Sequence, residues 1–452
     1  MKRVTIIGGG ASGTLTAVNL IKHAGTEKIR VDLVEDRARL GRGVAYGTTL
    51  SEHLLNVPAG RMGAFPDDPS HFHRWLAGRG YSHSAEAFVP RKIFGEYLST
   101  LLDEAAALAH ASGSTLDVYD DEATDIHTDE SGCVVRMASG SKLLSDKVVL
   151  AFGNFPPPDP FVADMAYTSA DKYFRDPWNS RVYREIADGD DILIVGTGLS
   201  MIDVVLRYER IGHSGRIFAI STRGLLPAVH KACPGYPSFA DELEGLTRIT
   251  DVVRVVRRHI SEAAALGIDW RAVIDSLRPV TQTIWQRLPI AEKRYFKQHL
   301  SRHWNIARHR MPPEAAAVID RLRADGKLTI LSGRLKRIDR SNGRFAVSFS
   351  DRGRYEALTV DAIINCIGSE TDFSKVASRL VRRLIAADTI RCDELRMGLD
   401  ATPDGRLIGP DGRPSERLST LGTSLKGILW ESTAMPEIRS QANALALRLL
   451  AE

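Results

Sequence analysis

The sequence predicts an α/β protein: two Rossmann-like dinucleotide-binding domains with a helical insertion. Three observations carry this. A short β-branched strand runs into a glycine turn and then a helix at residues 3–21. The same pattern recurs at residues 191–209. A long stretch of helical periodicity, about residues 236–325, then separates the second copy from a return to strands.

Composition sets the outer bounds. The chain has 452 residues, 43% hydrophobic and 26% charged, which is ordinary for a globular protein. This excludes a mostly disordered, collagen-like or disulfide-scaffold chain. The formal net charge of +4 is dilute over this length, so neither nucleic acid nor an acidic membrane is expected as a partner. No apolar run approaches the ~20 residues that span a bilayer. The short run at residues 4–7 is no signal-peptide core, so a cytoplasmic location is expected. Cys133, Cys233, Cys366 and Cys392 are far apart in sequence. Without a CxxC, neither a zinc ribbon nor a dithiol reductase is supported.

The first strand, residues 3–7, reads as a buried parallel strand. The turn Gly8-Gly9-Gly10-Ala11-Ser12-Gly13 follows it, then a helix, then a second strand ending in Glu35. This is the dinucleotide-binding fingerprint with its acid about 20 residues on. Gly8 permits the tight turn, Gly10 the close approach of a pyrophosphate, and Gly13 the packing of helix on strand. Glu35 suits an unphosphorylated ribose. The alternative is a glycine turn without a ligand.

The second copy runs Gly196-Thr197-Gly198-Leu199-Ser200-Met201. Its next strand ends in Ser221-Thr222-Arg223 where the first has an acid. Hydroxyls and a guanidinium accept a 2′-phosphate that a carboxylate would repel, so this site is expected to take NADPH, with Arg223 on the phosphate. Met201 replaces the third glycine, and looser packing is expected there. A structural Rossmann unit without ligand is the alternative. Two further strands end at Gly153 and Gly368, and a helix opens near Pro436-Glu437 after Gly422. Each of these, alone, is also an ordinary strand or helix end.

On these residues the chain resembles the two-dinucleotide-binding-domain flavoproteins, and within them the flavin-containing and N-hydroxylating monooxygenases. It resembles more closely a bacterial FAD/NAD(P)-binding subgroup similar to FAD-dependent urate hydroxylases. The segments carrying this are residues 41–47, 53–59, 65–69, 89–91, 94–98, 430–431 and 436–439. The resemblance implies FAD on Gly8, Gly10, Ala11, Ser12 and Gly13, with the ribose on Glu35. The loop from Arg42 to Asn56 would run along the flavin, and Gly422 and Glu437 would meet its pyrimidine end. NADPH would use Gly196, Gly198, Ser200 and Arg223, with Gly153 and Gly368 at the domain crossings. The implied domains are 1–158 (FAD, first part), 159–355 (NADPH, with the insertion) and 356–452 (FAD, second part).

The implied activity is an FAD-dependent, NAD(P)H-consuming monooxygenase. It would use dioxygen and a C4a-hydroperoxyflavin to hydroxylate a small anionic or nitrogen-containing substrate, urate-like or an amino acid. Asn56 and Arg91 are the polar groups expected at the flavin edge. The basic stretch Lys297 to Arg310, among Trp270, Trp285 and Trp304, suggests a lid with an anion contact at Arg308 and Arg310. A merely solvated face is its alternative. His299 and His303 have metal-ligand spacing, but the cations around them argue against a metal. Two other functions remain open: a flavin-dependent reductase or dehydrogenase without oxygen insertion, and a non-catalytic nucleotide sensor. Nothing in the sequence bears on the oligomeric state.

Overall fold

The strand Lys2–Ile7 buries Val4, Ile6 and Ile7, and it sits inside a six-stranded sheet. The sheet order is Arg406–Ile408, Pro414–Thr420, Lys147–Leu150, Lys2–Ile7, Ile29–Val34, Thr115–Tyr119. All pairings are parallel except the first, as buried strands fed by crossover helices should be. The computed structural model describes residues 1–452. Helices Ala11–Ala24, Arg91–Ser112 and Met435–Ala451 share one core with this sheet through Leu15, Leu20, Phe94, Tyr97 and Leu445. A small antiparallel sheet and the helix Arg379–Ala386 supply a second core, which includes Val135, Leu143, Leu380 and Leu384 with Ile7 and Val148.

The second domain repeats the plan on a smaller scale. Its order is Leu328–Ser332, Ile217–Ser221, Ile192–Val195, Ala362–Asn365, Tyr173–Phe174, all parallel. Helices Leu199–Arg210 and Pro313–Ala324 pack in one core with it, through Met201, Val205 and Ile319. The three-stranded antiparallel sheet from Arg334 to Val360 contributes Phe345 and Val347 to another.

Two expected boundaries move. Ala362–Asn365 pairs with Ile192–Val195, so the chain returns to the first domain after Asn365 and not at 356. A four-residue apolar strand carries no mark of which sheet it joins, and here its parallel partner decides. The helix Pro313–Ala324 belongs to the second domain's core and not to the insertion, because Ala315, Ile319 and Leu322 pack with Met201 and Ile217.

The insertion itself comprises Ile249–Ala265, Trp270–Ser276, Thr281–Arg287, Ile290–Tyr295 and Ser301–Arg308, with a π-helical turn at Phe296–Leu300. Its core of Phe239, Val273, Trp285 and Phe296 includes Leu395, Met397 and Trp430 from the C-terminal part of the first domain. The Trp285 indole N–H donates to Gly427 O at 2.9 Å. The insertion therefore leaves one domain and docks on the other, roofing the space between them.

Candidate active site

The two glycine turns are built alike. Gly8 leaves its strand at φ +104° and donates to Val34 O at 2.9 Å; Gly196 leaves at φ +112° and donates to Ile220 O at 2.7 Å. Only glycine adopts such angles without strain. A Cβ on Gly8 would collide with the Ala151 carbonyl, and one on Gly196 with the Cys366 carbonyl. Ala151 and Cys366 donate back to Ile7 and Val195 at 2.8 and 2.7 Å. Each turn is thus clamped between its own strand and the strand beside it.

Gly10 and Gly198 are the N-caps of the helices that follow, and neither helix start has a side-chain cap. The first-turn amides, around Ala11–Ser12 and Leu199–Ser200, are then available for an anion at the positive end of the helix dipole. The units differ at the third glycine. A Cβ on Gly13 would collide with the Gly8 carbonyl, so that helix rests on the turn. Met201 is fully buried instead, and the second helix begins with weaker bonds, Met201 and Ile202 donating to Gly198 O at 3.1 and 3.3 Å.

The first turn opens on a cleft of about 850 Å³, lined by Gly8, Gly10, Ala11, Ser12, Glu35, Arg42, Arg91 and Gly153 among others. That volume suits a large cofactor. The Glu35 carboxylate is held by the amides of Gly9 at 2.9 Å and Asp36 at 3.0 Å. The loop bearing Arg42 lies on the glycine turn, with Gly41 N donating to Gly9 O at 2.8 Å. Gly422, at φ +71°, stands against Ser12 but does not line the cleft; its neighbour Thr423 does, and donates to Gly153 O at 2.6 Å.

The second turn opens on a cleft of about 570 Å³ that includes Gly196, Gly198, Ser200, Ser221, Thr222, Arg334 and Gly368. Ser200, Cys366, Gly368 and Thr433 line both clefts. The two clefts therefore adjoin at these residues. Arg223 is exposed and outside this lining, whereas Arg334, one strand over, is within it.

Other expected site residues are held elsewhere. Arg91 lines the first cleft, but its guanidinium crosses the domain boundary to Asp203 at 2.9 Å and donates to Leu54 O at 2.9 Å. Burial lifts the Asp203 carboxyl to about 6 despite that guanidinium. A second ion pair, Arg207–Glu52 at 2.8 Å, spans the same boundary. Asn56 lines neither cleft; its carbonyl meets His230 at 2.9 Å, tying the loop to the second domain. Glu437 is also outside both linings. It takes a two-pronged contact from Arg278 at 2.8 and 2.9 Å and so anchors the insertion.

The basic face of the insertion is not free. Arg310 is buried against Asp275 with both nitrogens at 2.9 Å, and stacks near Trp270. Arg308 donates to Glu431 at 3.1 Å, and the Trp304 indole donates to the same carboxylate at 2.7 Å. Helical periodicity cannot distinguish a charge that faces water from one that already holds a carboxylate from a neighbouring helix or loop.

Sequence reasoning missed Glu431 as a site group, along with Lys426, His309 and Arg334. Glu431 is 5% exposed at φ +69°, a left-handed backbone that a non-glycine residue holds only under strain. Burial raises its carboxyl pKa. Burial, with Arg308 and Lys426 beside it, pushes the His309 imidazole down to about 4, so it is neutral at physiological pH. Glu431 lay within a segment already singled out, but no periodicity marked Lys426.

Residues 5–155 match the FAD-NAD(P)-binding family model. The matched segment contains the first glycine turn, Glu35, Arg42, Arg91 and Gly153. The whole chain has the fold of the two-dinucleotide-binding-domain flavoproteins. It is similar to the ornithine N-hydroxylase of Kutzneria sp. 744, solved with reduced FAD, NADP⁺ and L-ornithine, at TM-score 0.66 and 16% identity, covering 99% of this chain and 98% of that one. It is similar to the L-lysine 6-monooxygenase of Pseudomonas syringae at TM-score 0.64 and 16% identity, covering 99% of each. An uncharacterised protein of Mycobacterium tuberculosis is 23% identical over 99% of this chain and 95% of its own. No helix is long and apolar enough to cross a membrane.

Proposed function

We propose that the protein is an FAD-dependent, NADPH-consuming monooxygenase acting on a small nitrogen-containing or anionic substrate. The observation that carries this reading is the wall that two glycine-cradled clefts share at Ser200, Cys366, Gly368 and Thr433. A reaction between two bound dinucleotides requires their rings to come together at such a joint. The first cleft fits FAD: its turn tolerates no Cβ at Gly8, its helix start is uncapped, and Glu35 is fixed at its wall.

FAD would accept the nicotinamide hydride and supply the oxygen chemistry. The chain's own part is binding, orientation and exclusion of water. The N-terminus of Ala11–Ala24 would hold one pyrophosphate and that of Leu199–Arg210 the other. Trp430 packs 5.0 Å from Trp285 and 5.1 Å from Phe296, an apolar wall on the insertion side of the joint. Such a wall keeps bulk water from a reactive intermediate. The N-hydroxylating enzymes of the same fold support a nitrogen-bearing substrate, and the unpaired Lys426 ammonium in the second cleft supports an anionic one.

The test is purification followed by paired measurements. The protein should be yellow, and a substrate panel of amino acids, diamines and purines should contain a compound that raises NADPH oxidation and appears with one added oxygen by mass spectrometry. Absence of flavin would overturn the reading outright. NADPH oxidation that passes electrons to an acceptor, with no oxygenated product, would leave a reductase.

A further inference from the structure

Lys426 is a cation without a partner. It follows the turn Gly422–Leu425, lines the second cleft, and forms no ion pair or side-chain hydrogen bond. Lys426 is half-buried, and its ammonium stands 5.8 Å from the centre of the Trp430 ring, a weak contact for a charge partly shielded from water. The other charges in its surroundings do not offset it. Glu431 is engaged by Arg308 and Trp304, His309 is neutral, and Lys297 adds repulsion while its own ammonium is held by Leu395 O. Burial accordingly pulls the Lys426 pKa down.

The backbone that carries Lys426 is fixed. Its amide donates to Thr423 O at 3.2 Å, and the next residue, Gly427, is gripped by the Trp285 indole and packed on the Asp393 carboxylate. Asp393 is itself pinned by the amides of Leu395 and Met397 at 2.7 and 2.8 Å. A half-buried, unpaired charge held on a rigid loop is available to a ligand of opposite charge that enters the cleft. The phosphates of a bound nucleotide would have the amides of the second glycine turn and Arg334. Lys426 comes instead from the first domain, in the cleft wall shared with Asn305, His309, Trp430 and Glu431.

We propose that Lys426 is the anion anchor of the substrate pocket and takes a carboxylate of the small compound oxidised there, with Asn305 and Thr433 as neutral hydrogen-bonding neighbours. This rests on the monooxygenase reading and adds a ligand class to it. A nucleotide phosphate offers the same chemistry, so the experiment separates the two sources.

The experiment uses the FAD-loaded protein and follows the flavin spectrum on titration with benzoate and with its neutral isostere benzamide. NADP⁺ affinity is measured in parallel by calorimetry. Wild type should bind benzoate at least ten-fold more tightly than benzamide. Lys426→Gln should erase that preference while keeping its FAD and its NADP⁺ affinity, and Lys426→Arg should restore much of it. An NADP⁺ affinity that falls ten-fold with benzoate binding unchanged would assign Lys426 to the nucleotide phosphate and overturn the carboxylate. No preference in wild type, or the same preference in Lys426→Gln, would also overturn it. Failure of the monooxygenase reading is separate: it would be seen as wild type without flavin or without an oxygenated product.

Discussion

Which arginine reads the 2′-phosphate is decided by the ends of two adjacent parallel strands. Ile217–Ser221 ends in Ser221 and Thr222, both in the cleft wall, and Leu328–Ser332 ends beside Arg334, also in the wall. Arg223 is one residue beyond Thr222 and outside the lining. Both guanidinium groups are exposed, so either contact is worth the low end of a charge-assisted hydrogen bond, about 1.5 kcal/mol. That is about ten-fold in affinity. Arg334→Ala should therefore raise the KM for NADPH by about ten-fold and leave the KM for NADH almost unmoved. Arg223→Ala should shift either by less than about three-fold, the scale of a screened surface charge. Calorimetry with 2′,5′-ADP and 5′-AMP checks the same point without turnover, because only the first carries the phosphate. If Arg223→Ala gives the ten-fold loss and Arg334→Ala none, the sequence expectation stands and the reasoning from the cleft lining is refuted. Equal losses with NADH and NADPH would show that neither residue reads the phosphate.

Three further outcomes are expected. Gly8→Ala puts a Cβ into the Ala151 carbonyl at φ +104°, so the variant should lose FAD and melt several degrees lower; retained flavin at wild-type occupancy would contradict the clamp. Arg310→Ala should cost about 2–4 kcal/mol of stability by urea unfolding, while the KM for substrate changes little, because a buried guanidinium is removed from Asp275; a substrate defect at unchanged stability would revive the exposed basic face. Asp203 has its native carboxyl raised to about 6 by burial, so the native state holds a proton that the unfolded chain releases near 4. Its contribution is present below pH 4 and is lost as pH rises through 6. Wild-type stability relative to Asp203→Asn should therefore fall between pH 4 and 6 and level off above; a difference in melting temperature that is flat with pH would rule this out.

Where the chemistry demands a particular backbone, the sequence was a sufficient guide. The two glycine turns, Glu35, the strand ends at Gly153 and Gly368, and the helical nature of the insertion were all legible, because each follows from local sterics or periodicity. What escaped depends on tertiary partners. The strand Ala362–Asn365 could have joined either sheet on its own composition. Glu437 and Arg310 carry charges whose partners, Arg278 and Asp275, are distant in sequence and adjacent only in the fold. Asn56 turned out to offer a carbonyl to His230 and no group to either cleft.

The charges of the joint divide by whether they already have partners. Arg308 and Glu431 satisfy each other inside the insertion's contact with the C-terminal loop, so they position that loop and hold its strained residue in place. Arg91 and Asp203, with Arg207 and Glu52, do the same across the two dinucleotide-binding domains. These pairs set the geometry of a joint whose clefts must align for one bound ring to reach another. Their truncation should act through domain alignment, changing NADPH-dependent flavin reduction more than FAD content. Stopped-flow reduction of Arg207→Ala, an intact FAD-binder by this argument, would show a slower reductive step. Loss of flavin without a change in that step would place Arg207 in support of the FAD cleft instead.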